Sequence, residues 1–338
     1  MPTPNVQTVY RSKLIAAFLL MSLTLGACGT NGDAPGSSDG PVVNTTTSPP
    51  TTSTASPTPE PTSTTVGVTT TTLSGPVAVL IGAGDIAVSS GEDAATAAII
   101  ARYPDATVFT TGDNAYPDGS EEQFADYYDR AWGTFKDRTR PAIGNHDAHS
   151  EGAEPYFAYF GPNAGIPGEG WYSYDLGSWH VIVLNSECGD DGLASCEDQL
   201  VWLHDDLAGR TGTCMLAYWH KPLFNAGRHD PEESFADEWM ILDEAGVDLV
   251  LNGHDHNYQR YAPQDSNGRP TPSGMREFIV GGGGAKLYEQ TTDLETLEEF
   301  YEGNGVLKLD LFETSYEWLF IPTEGSYHDT GTGSCLER

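Results

Sequence analysis

The stretch VAVLIGAGDIA at residues 77–87 and the stretch VDLVLNGHDH at residues 247–256 share one plan. In each, a run of apolar residues ends at a glycine-containing loop that carries aspartate or histidine. Short apolar runs bounded by glycine are typical of buried strands. A side chain that directly follows such a strand lies at the carboxyl end of a sheet, where α/β proteins bind their ligands. The two stretches therefore predict an α/β core with a site at the strand ends.

The same plan recurs between these stretches, and helix-like segments separate the strands. Further strand-like runs that end in polar loops are residues 106–110, 140–143 and 214–218. Apolar residues at three- and four-residue spacing predict helices at 92–102, 121–132, 197–207 and 234–244. Strand-like runs without intervening helices are 171–176, 179–185, 275–280, 305–312 and 315–321. The core is therefore predicted to combine βαβ units with antiparallel hairpins.

Eight polar residues in the strand-end loops form the candidate site. They are Asp85, Asp113, Tyr116, Asn145, His146, His220, His254 and His256. Taken singly, an aspartate after glycine is more often a turn residue, and a lone histidine a structural one. Together, carboxylate, imidazole, phenolate and amide oxygen suit iron, zinc and manganese. Side chains alternate along extended chain, so His254 and His256 point to one side and could serve adjacent ions.

Five blocks in fixed order give this region a resemblance to a known family. They are Gly84-Asp85-Ile86-Ala87, Gly112-Asp113-Asn114-Ala115-Tyr116, Gly144-Asn145-His146-Asp147, Ala217-Tyr218-Trp219-His220 and Gly253-His254-Asp255-His256. They resemble the blocks GDxG, GDxxY, GNH(D/E), VxxH and GHxH of the calcineurin-like metallophosphoesterase superfamily, and within it those of purple acid phosphatases. The resemblance implies an α/β fold of two mixed β-sheets packed as a sandwich flanked by helices, with metals at one end of the sheets.

The resemblance also implies a ligand set for two metal ions. Asp85, Tyr116 and His256 would hold one ion, Asn145, His220 and His254 the other, and Asp113 would bridge both. Ala87 stands where many superfamily members have a ligand histidine, so the Tyr116 phenolate is expected to replace it. Phenolate favours a hard trivalent metal, which implies Fe(III) beside a divalent iron, zinc or manganese ion. The alternative for Tyr116 is a packed loop tyrosine.

The implied activity is hydrolysis of a small phosphate ester, most directly a phosphomonoester, by in-line attack of a metal-bridging hydroxide. His146 would protonate the leaving oxygen, Asp147 would orient His146, and His229 resembles an outer-sphere histidine of the family. One alternative is a phosphodiesterase acting on nucleotides or lipid head groups. Another is a surface lipoprotein that binds phosphate or a partner without turnover. The glycine run at 281–284 is predicted to allow a close backbone approach or a tight turn.

The first 75 residues are interpreted as an export signal followed by a tether. Arg11 and Lys13 precede an apolar run at 14–25, which is typical of a secretory signal over residues 1–27. The run Leu25-Gly26-Ala27-Cys28 resembles a bacterial lipobox, with an ordinary signal peptide as the alternative. Between positions 41 and 75, 25 of 35 residues are Ser, Thr or Pro, which predicts a disordered tether over 28–75. The catalytic domain is then 76–338, lipid-anchored through Cys28 on the outer face of a bacterial cell membrane.

Charge and cysteine content bound the partners and the compartment. The formal net charge of -33 argues against nucleic acid as a partner. Apart from Cys28, four cysteines remain, an even number that suits disulfides in an exported protein. Four cysteines allow three pairings, of which we predict Cys188 with Cys196 and Cys214 with Cys335. Cysteine as a metal ligand is the competing interpretation.

Overall fold

The computed structural model describes residues 75–210 and 214–337. The predicted signal peptide, Cys28 and nearly all of the predicted tether lie outside these residues. Within the two described ranges, no helix is both long enough and apolar enough to cross a bilayer.

The strands of the described residues form two mixed β-sheets. They are β1 Ala78–Gly82, β2 Thr107–Thr110, β3 Thr139–Pro141, β4 Tyr172–Leu176, β5 Trp179–Val183, β6 Cys214–Tyr218, β7 Leu249–Asn252, β8 Tyr258–Tyr261, β9 Arg276–Val280, β10 Leu297–Tyr301, β11 Gly305–Leu311, β12 Ser315–Pro322 and β13 Thr330–Ser334. One sheet has the order β13-β12-β11-β1-β2-β3, and the other β10-β8-β9-β7-β6-β5-β4. Strand β1 is parallel to β2 and antiparallel to β11, so βαβ units and hairpins meet in one sheet.

Helices connect the parallel strands and flank the sheets. They are α1 Asp93–Ile100, α2 Glu121–Gln123, α3 Asp129–Ala131, α4 Glu154–Phe160, α5 Cys196–Ala208 and α6 Ala236–Ala245. A π-helical turn at Phe124–Tyr128 joins α2 to α3, so the helix predicted at 121–132 is present in three pieces. Helix α5 begins where the Ser195 side chain accepts a hydrogen bond from the Asp198 N–H, which satisfies one unpaired donor of the first turn.

Two apolar clusters hold the layers together. The larger one includes residues of both sheets, such as Phe109 of β2 and Tyr218 of β6, whose ring centroids are 5.9 Å apart. The second lies between the outer face of the seven-stranded sheet and helices α5 and α6, around Leu203 and Trp239. Every residue of β5, β6 and β7 is buried, as expected for parallel strands covered on both faces. The fold class predicted from the sequence is confirmed.

Both predicted disulfides are present. The Cα atoms of Cys188 and Cys196 are 4.9 Å apart, and those of Cys214 and Cys335 are 5.4 Å apart. The second disulfide ties the start of β6 to the chain just beyond β13. Because the sulfurs are bonded to each other, the interpretation of these four cysteines as metal ligands is wrong.

Candidate functional site

The loops after β1 and β2 lie side by side because they continue the parallel pairing of those strands. The Asp85 N–H donates to the Gly112 carbonyl at 3.0 Å, and the Tyr116 N–H donates to the Ala87 carbonyl at 2.9 Å. Ala87 is fully buried and forms an isolated parallel bridge with Ala115. This ladder brings Asp85, Asp113 and Tyr116 to one place at the carboxyl ends of the two strands.

Three of the predicted ligands have a left-handed backbone. The φ angles are 59° at Asp85, 51° at Asp113 and 69° at His254. Among the described non-glycine residues, only Ala153 also has a positive φ, of 49°. This conformation costs non-glycine residues about 1–3 kcal/mol and persists only where the surroundings impose it. Three of the four described non-glycine residues with this backbone lie at one end of the sheets, so the surrounding fold imposes the local geometry there.

The Tyr116 hydroxyl is the centre of the first ligand group. Its oxygen lies 2.9 Å from Asp85 Oδ1, 2.9 Å from Asp113 Oδ2 and 3.0 Å from His256 Nε2. The other ring nitrogen of His256, Nδ1, lies 2.6 Å from the Lys286 carbonyl oxygen, which fixes Nε2 toward the site. The Tyr116 hydroxyl is thus in contact with three other predicted ligands, which favours the ligand role over that of a packed loop tyrosine.

The second group surrounds the Nε2 atom of His220. That atom lies 3.1 Å from Asn145 Oδ1, 3.2 Å from His254 Nδ1 and 3.3 Å from Asp113 Oδ2. The Thr111 carbonyl, 2.8 Å from His220 Nδ1, orients the ring. Asp113 contacts both groups, as expected for a bridging ligand. The structure thus brings together all seven residues predicted to bind metal.

The electrostatics of this cluster suit positive ions. Among the described residues, the buried Asp85 and Asp113 form ion pairs only with histidines. Burial lowers the pKa of His220, but Asp113 and Asp85 outweigh it and raise the pKa to about 10. Burial, Asp113 and Asp85 raise the pKa of Tyr116 well above its usual value of 10. The protein alone therefore keeps the protons on His220 and Tyr116, which limits the negative charge around the two buried carboxylates. Bound cations would supply the compensating positive charge instead.

The donor set also fits metal ions in its spacing. One ligand atom from each of Asp85, Asp113 and His220 lies within 4.8 Å of the others, and all three residues are buried. Burial and the neighbouring His220 and His229 lower the pKa of His254 to about 2, which keeps its imidazole neutral, the form that binds metals. Carboxylate, phenol, imidazole and amide oxygens together suit iron, zinc and manganese.

His146 lies at the rim, beside the predicted ligands. Its backbone N–H donates to Asp113 Oδ1 at 2.8 Å, and its ring Nδ1 is 2.5 Å from the Pro117 carbonyl oxygen. Its Nε2 is 3.8 Å from Asp113 Oδ2, and its side chain is 29% exposed. The ring is therefore held through Nδ1, with Nε2 directed to the site.

The predicted partner of His146 has another role. The fully buried Asp147 carboxylate accepts hydrogen bonds from the Asn114 N–H at 3.0 Å, the Asn114 side-chain amide at 2.9 Å and the Gly144 N–H at 3.0 Å. A short helical turn at Asp147–His149 directs the carboxylate inward to these donors, and the role of Asp147 in orienting the His146 ring stays a prediction that these contacts do not support. Asp147 instead joins the loop after β2 to the loop after β3.

Two further histidines border the site. His229 stacks on His254 with ring centroids 4.1 Å apart, and its Nδ1 is 3.5 Å from Asp255 Oδ2, so it lies where an outer-sphere histidine is expected. His149, to which the sequence assigned no role, has its ring 5.1 Å from that of His146 and its Nδ1 3.4 Å from Asp118 Oδ1. Its position three residues after His146 is the feature of the sequence that could have identified it as a neighbour of the site.

The glycine run at 281–284 packs directly against the site. The Gly283 N–H donates to the Gly84 carbonyl at 2.9 Å, and a Cβ atom on Gly283 would lie 2.3 Å from that oxygen. The predicted close approach is confirmed. The same segment delivers Tyr288, whose ring stacks on His256 at 4.2 Å, a neighbour that the sequence motifs did not reveal.

Comparison with known proteins gives these observations a context. The sequence model of the calcineurin-like phosphoesterase family matches residues 80–258. Purple acid phosphatase 18 of Arabidopsis thaliana is 28% identical over 218 residues, which cover 55% of this chain and 48% of that protein. The chain thus spans about half of the length of this relative.

Solved structures show the same fold. A purple acid phosphatase from yellow lupin (Lupinus luteus) seeds superposes with a TM-score of 0.60 at 19% identity, covering 76% of this chain and 53% of that one. The anchor in the inner membrane complex of Plasmodium superposes with a TM-score of 0.62 at 13% identity, covering 77% of this chain and 90% of that one. At these identities the likeness concerns the fold alone.

Proposed function

The chain belongs to the calcineurin-like phosphoesterase family, and from that premise we propose that it hydrolyses phosphate esters, phosphomonoesters in the first place. The observation that supports this most is the Tyr116 hydroxyl within 3.0 Å of Asp85, Asp113 and His256, next to the group around His220. The sequence similarity to a purple acid phosphatase of Arabidopsis thaliana also supports the proposal.

The residues present fit two metal ions. Asp85, Tyr116 and His256 would hold one, Asn145, His220 and His254 the other, and Asp113 both. When bound, such a pair supplies positive charge to the phosphate oxygens and lowers the pKa of a water for in-line attack. We propose Fe(III) at the tyrosine side and divalent iron, zinc or manganese at the other.

The metal assignment has its own test. Phenolate bound to Fe(III) absorbs visible light, so Tyr116→Phe should abolish the visible band of the purified chain while elemental analysis still finds the second ion. A band that persists unchanged in this variant would contradict the assignment of Tyr116 as a ligand.

The other roles belong to side chains at the rim. His146, held by Pro117 through Nδ1, presents Nε2 to donate a proton to the leaving oxygen. His229, stacked on His254, lies where it could donate a hydrogen bond to a phosphate oxygen. Asp147 supports this machinery by fixing the loops that carry Asp113 and Asn145.

Export and anchoring are also proposed. The charged start, the short apolar run at 14–25 and Cys28 support a lipoprotein on the outer face of a bacterial membrane, held on a tether of residues 28–75. Labelling cells with a radioactive fatty acid should mark the wild-type chain and not Cys28→Ala. Equal labelling of both would refute the anchor.

The decisive experiment compares an aryl phosphomonoester with the matching diester on the metal-loaded full chain. Asp113→Asn is the blank, because Asp113 contacts both ligand groups. A monoester preference that vanishes in the blank supports the proposal. A diester preference would replace it with a phosphodiesterase acting on nucleotides or lipid head groups. No turnover of either, with both metals bound, would favour a binding protein.

A further inference from the structure

A shallow groove borders the candidate metal centre. It has a volume of about 310 Å³, and its lining includes Arg228, Lys286, Tyr288, Glu289 and Glu302. Sequence motifs did not mark this segment, and none of the roles above uses the groove.

The groove is joined to the metal centre by direct contacts. Tyr288 stacks on the predicted ligand His256, with ring centroids 4.2 Å apart and an angle of 16° between the ring planes. The Arg228 guanidinium carbon lies 4.7 Å from the centroid of the same Tyr288 ring. The carbonyl of Lys286 is the partner of His256 Nδ1 at 2.6 Å. The groove therefore borders His256 on its Nδ1 side, and the Tyr288 ring is shared between this predicted ligand and the groove.

The backbone of both walls is fixed. The Arg228 N–H donates to Asp255 Oδ1 at 2.8 Å, and Asp255 is fully buried. The Thr291 N–H donates to the Ala226 carbonyl at 2.9 Å, which fastens the segment after the glycine run to the segment that carries Arg228. The two cationic side chains thus project from an ordered frame.

Two cations in this groove have no carboxylate partner. Neither Arg228 nor Lys286 forms an ion pair with a described residue, although the whole chain has 49 acidic residues against 16 basic ones. By contrast, Lys221 and Arg260 each pair with acidic neighbours. Other described cations, such as Arg102 and Arg269, also lack an ion pair, so it is the position of Arg228 and Lys286 near the proposed phosphate-binding centre that favours an anionic ligand group.

The groove's acidic side chains limit the charge of that group. The lining also contains Glu289 and Glu302, which form no ion pair with Arg228 or Lys286 but make the formal charge of the lining zero. A single negative charge can lie beside the cations, whereas a polyphosphate would meet the two glutamates and the acidic surface beyond.

We propose that the groove is a leaving-group subsite for phosphomonoesters that carry a carboxylate, with Arg228 and Lys286 as its binding residues. The inference rests on the proposed phosphomonoesterase function and names its substrate class. Tyr288 would support the leaving group between the metal centre and Arg228.

Phenyl phosphate and 3-carboxyphenyl phosphate test the proposal, because their leaving phenols have similar acidity. The readout is the ratio of kcat/KM for the carboxylated ester to that for the plain one, on the metal-loaded full chain. Arg228→Gln should lower this ratio about two- to fivefold, the range of an exposed charge pair. Lys286→Gln should lower it similarly, and Arg228→Lys should restore most of it. Arg269→Gln, which removes an equal charge from an exposed turn outside the groove, should leave it unchanged.

A binding measurement separates the subsite from the chemistry. Calorimetric titration with 3-carboxyphenylphosphonate and phenylphosphonate should show a loss of affinity of the same size in Arg228→Gln, for the carboxylated compound alone. If phenyl phosphate is turned over but neither ratio changes, the subsite is refuted and the proposed function stands. If Arg269→Gln lowers the ratio equally, the effect is long-range charge and the subsite is refuted. A preference for nucleoside diphosphates that depends on Arg228 would refute the carboxylate assignment. If wild type hydrolyses neither ester, the proposed function fails, and the phosphonate titration alone decides whether the subsite exists.

Discussion

Replacement of Asp147 by alanine distinguishes a loop clamp from a catalytic partner of His146. The carboxylate accepts hydrogen bonds from the N–H of Asn114, the side-chain amide of Asn114 and the N–H of Gly144, at 2.9–3.1 Å. Its removal leaves these donors without an acceptor in a fully buried position. A buried donor left unpaired costs about 1–3 kcal/mol, and the Asn114 amide retains the Ala142 carbonyl. We therefore expect Asp147→Ala to lower the free energy of unfolding by about 3 kcal/mol.

The assay is urea unfolding of the metal-free chain followed by tryptophan fluorescence. With a slope of about 3 kcal/mol per molar urea, the upper end for small proteins, the midpoint should fall by about 1 M. Metal affinity should also fall, because the clamp fixes the loops that carry Asp113 and Asn145. Asp265→Ala is the control: Asp265 accepts N–H groups of Asn267 and Arg269 in an exposed turn, so its loss should cost less.

Kinetics provide the refuting result. A clamp should affect esters with good and poor leaving groups alike, since it acts through the geometry of the whole site. An unchanged urea midpoint, together with a loss confined to poor leaving groups, would refute the clamp and restore Asp147 as the partner of His146.

Three further predictions concern stability and metal binding. Burial raises the pKa of Glu238 to about 7, so the stability that its protonated form allows is fully present below the unfolded pKa and is lost as the pH rises to 7. Glu238→Gln should match wild type near pH 4 and exceed its free energy of unfolding by about 3 kcal/mol at pH 8.5. A pH-independent difference in urea unfolding would contradict this. Removing the 214–335 disulfide should lower the free energy of unfolding by about 5 kcal/mol, and removing the 188–196 disulfide should lower it by about 2.5 kcal/mol, because the two close loops of 121 and 8 residues. The reverse order in denaturant unfolding would contradict the chain-entropy account. Gly283→Ala, whose Cβ would lie 2.3 Å from the Gly84 oxygen, should weaken metal binding measured by chelator competition; unchanged affinity would mean that the loop yields freely.

The ligand positions were predictable because each follows an apolar run that the core buries. The runs at 77–81 and 247–251 are β1 and β7 within two residues, so the loops that follow them had to open at the same end of the sandwich. Hydrophobic pattern reports which strands are buried and so placed the candidate residues at strand ends, whereas the resemblance of the five sequence blocks implied their assignment as seven metal ligands.

What escaped prediction depends on tertiary partners. Strand β10 carries Glu298 and Glu299 and resembles a surface loop. It is a strand because it pairs with β8, and Glu298 also forms ion pairs with Arg260 of β8 and Arg276 of β9. A local turn directs the Asp147 carboxylate to Asn114 and Gly144, whereas adjacency in sequence had suggested His146 as its partner. Tyr288 joins the site from 32 positions beyond His256, a distance in sequence that no motif spans.

The disulfide between Cys214 and Cys335 also determines how the domain bears mechanical load. A force applied at the carboxyl-terminal end enters the fold at Cys335 and passes through sulfur to the start of β6. The intervening chain, 121 residues in sequence separation, is bypassed, and at about 3.5 Å per residue it conceals roughly 420 Å of extensible length. His220, His254, His256 and the groove all lie within this closed loop. A surface-immobilised or stretched molecule held by its last residues would therefore keep this half of the site off the line of tension until the sulfur bridge is reduced.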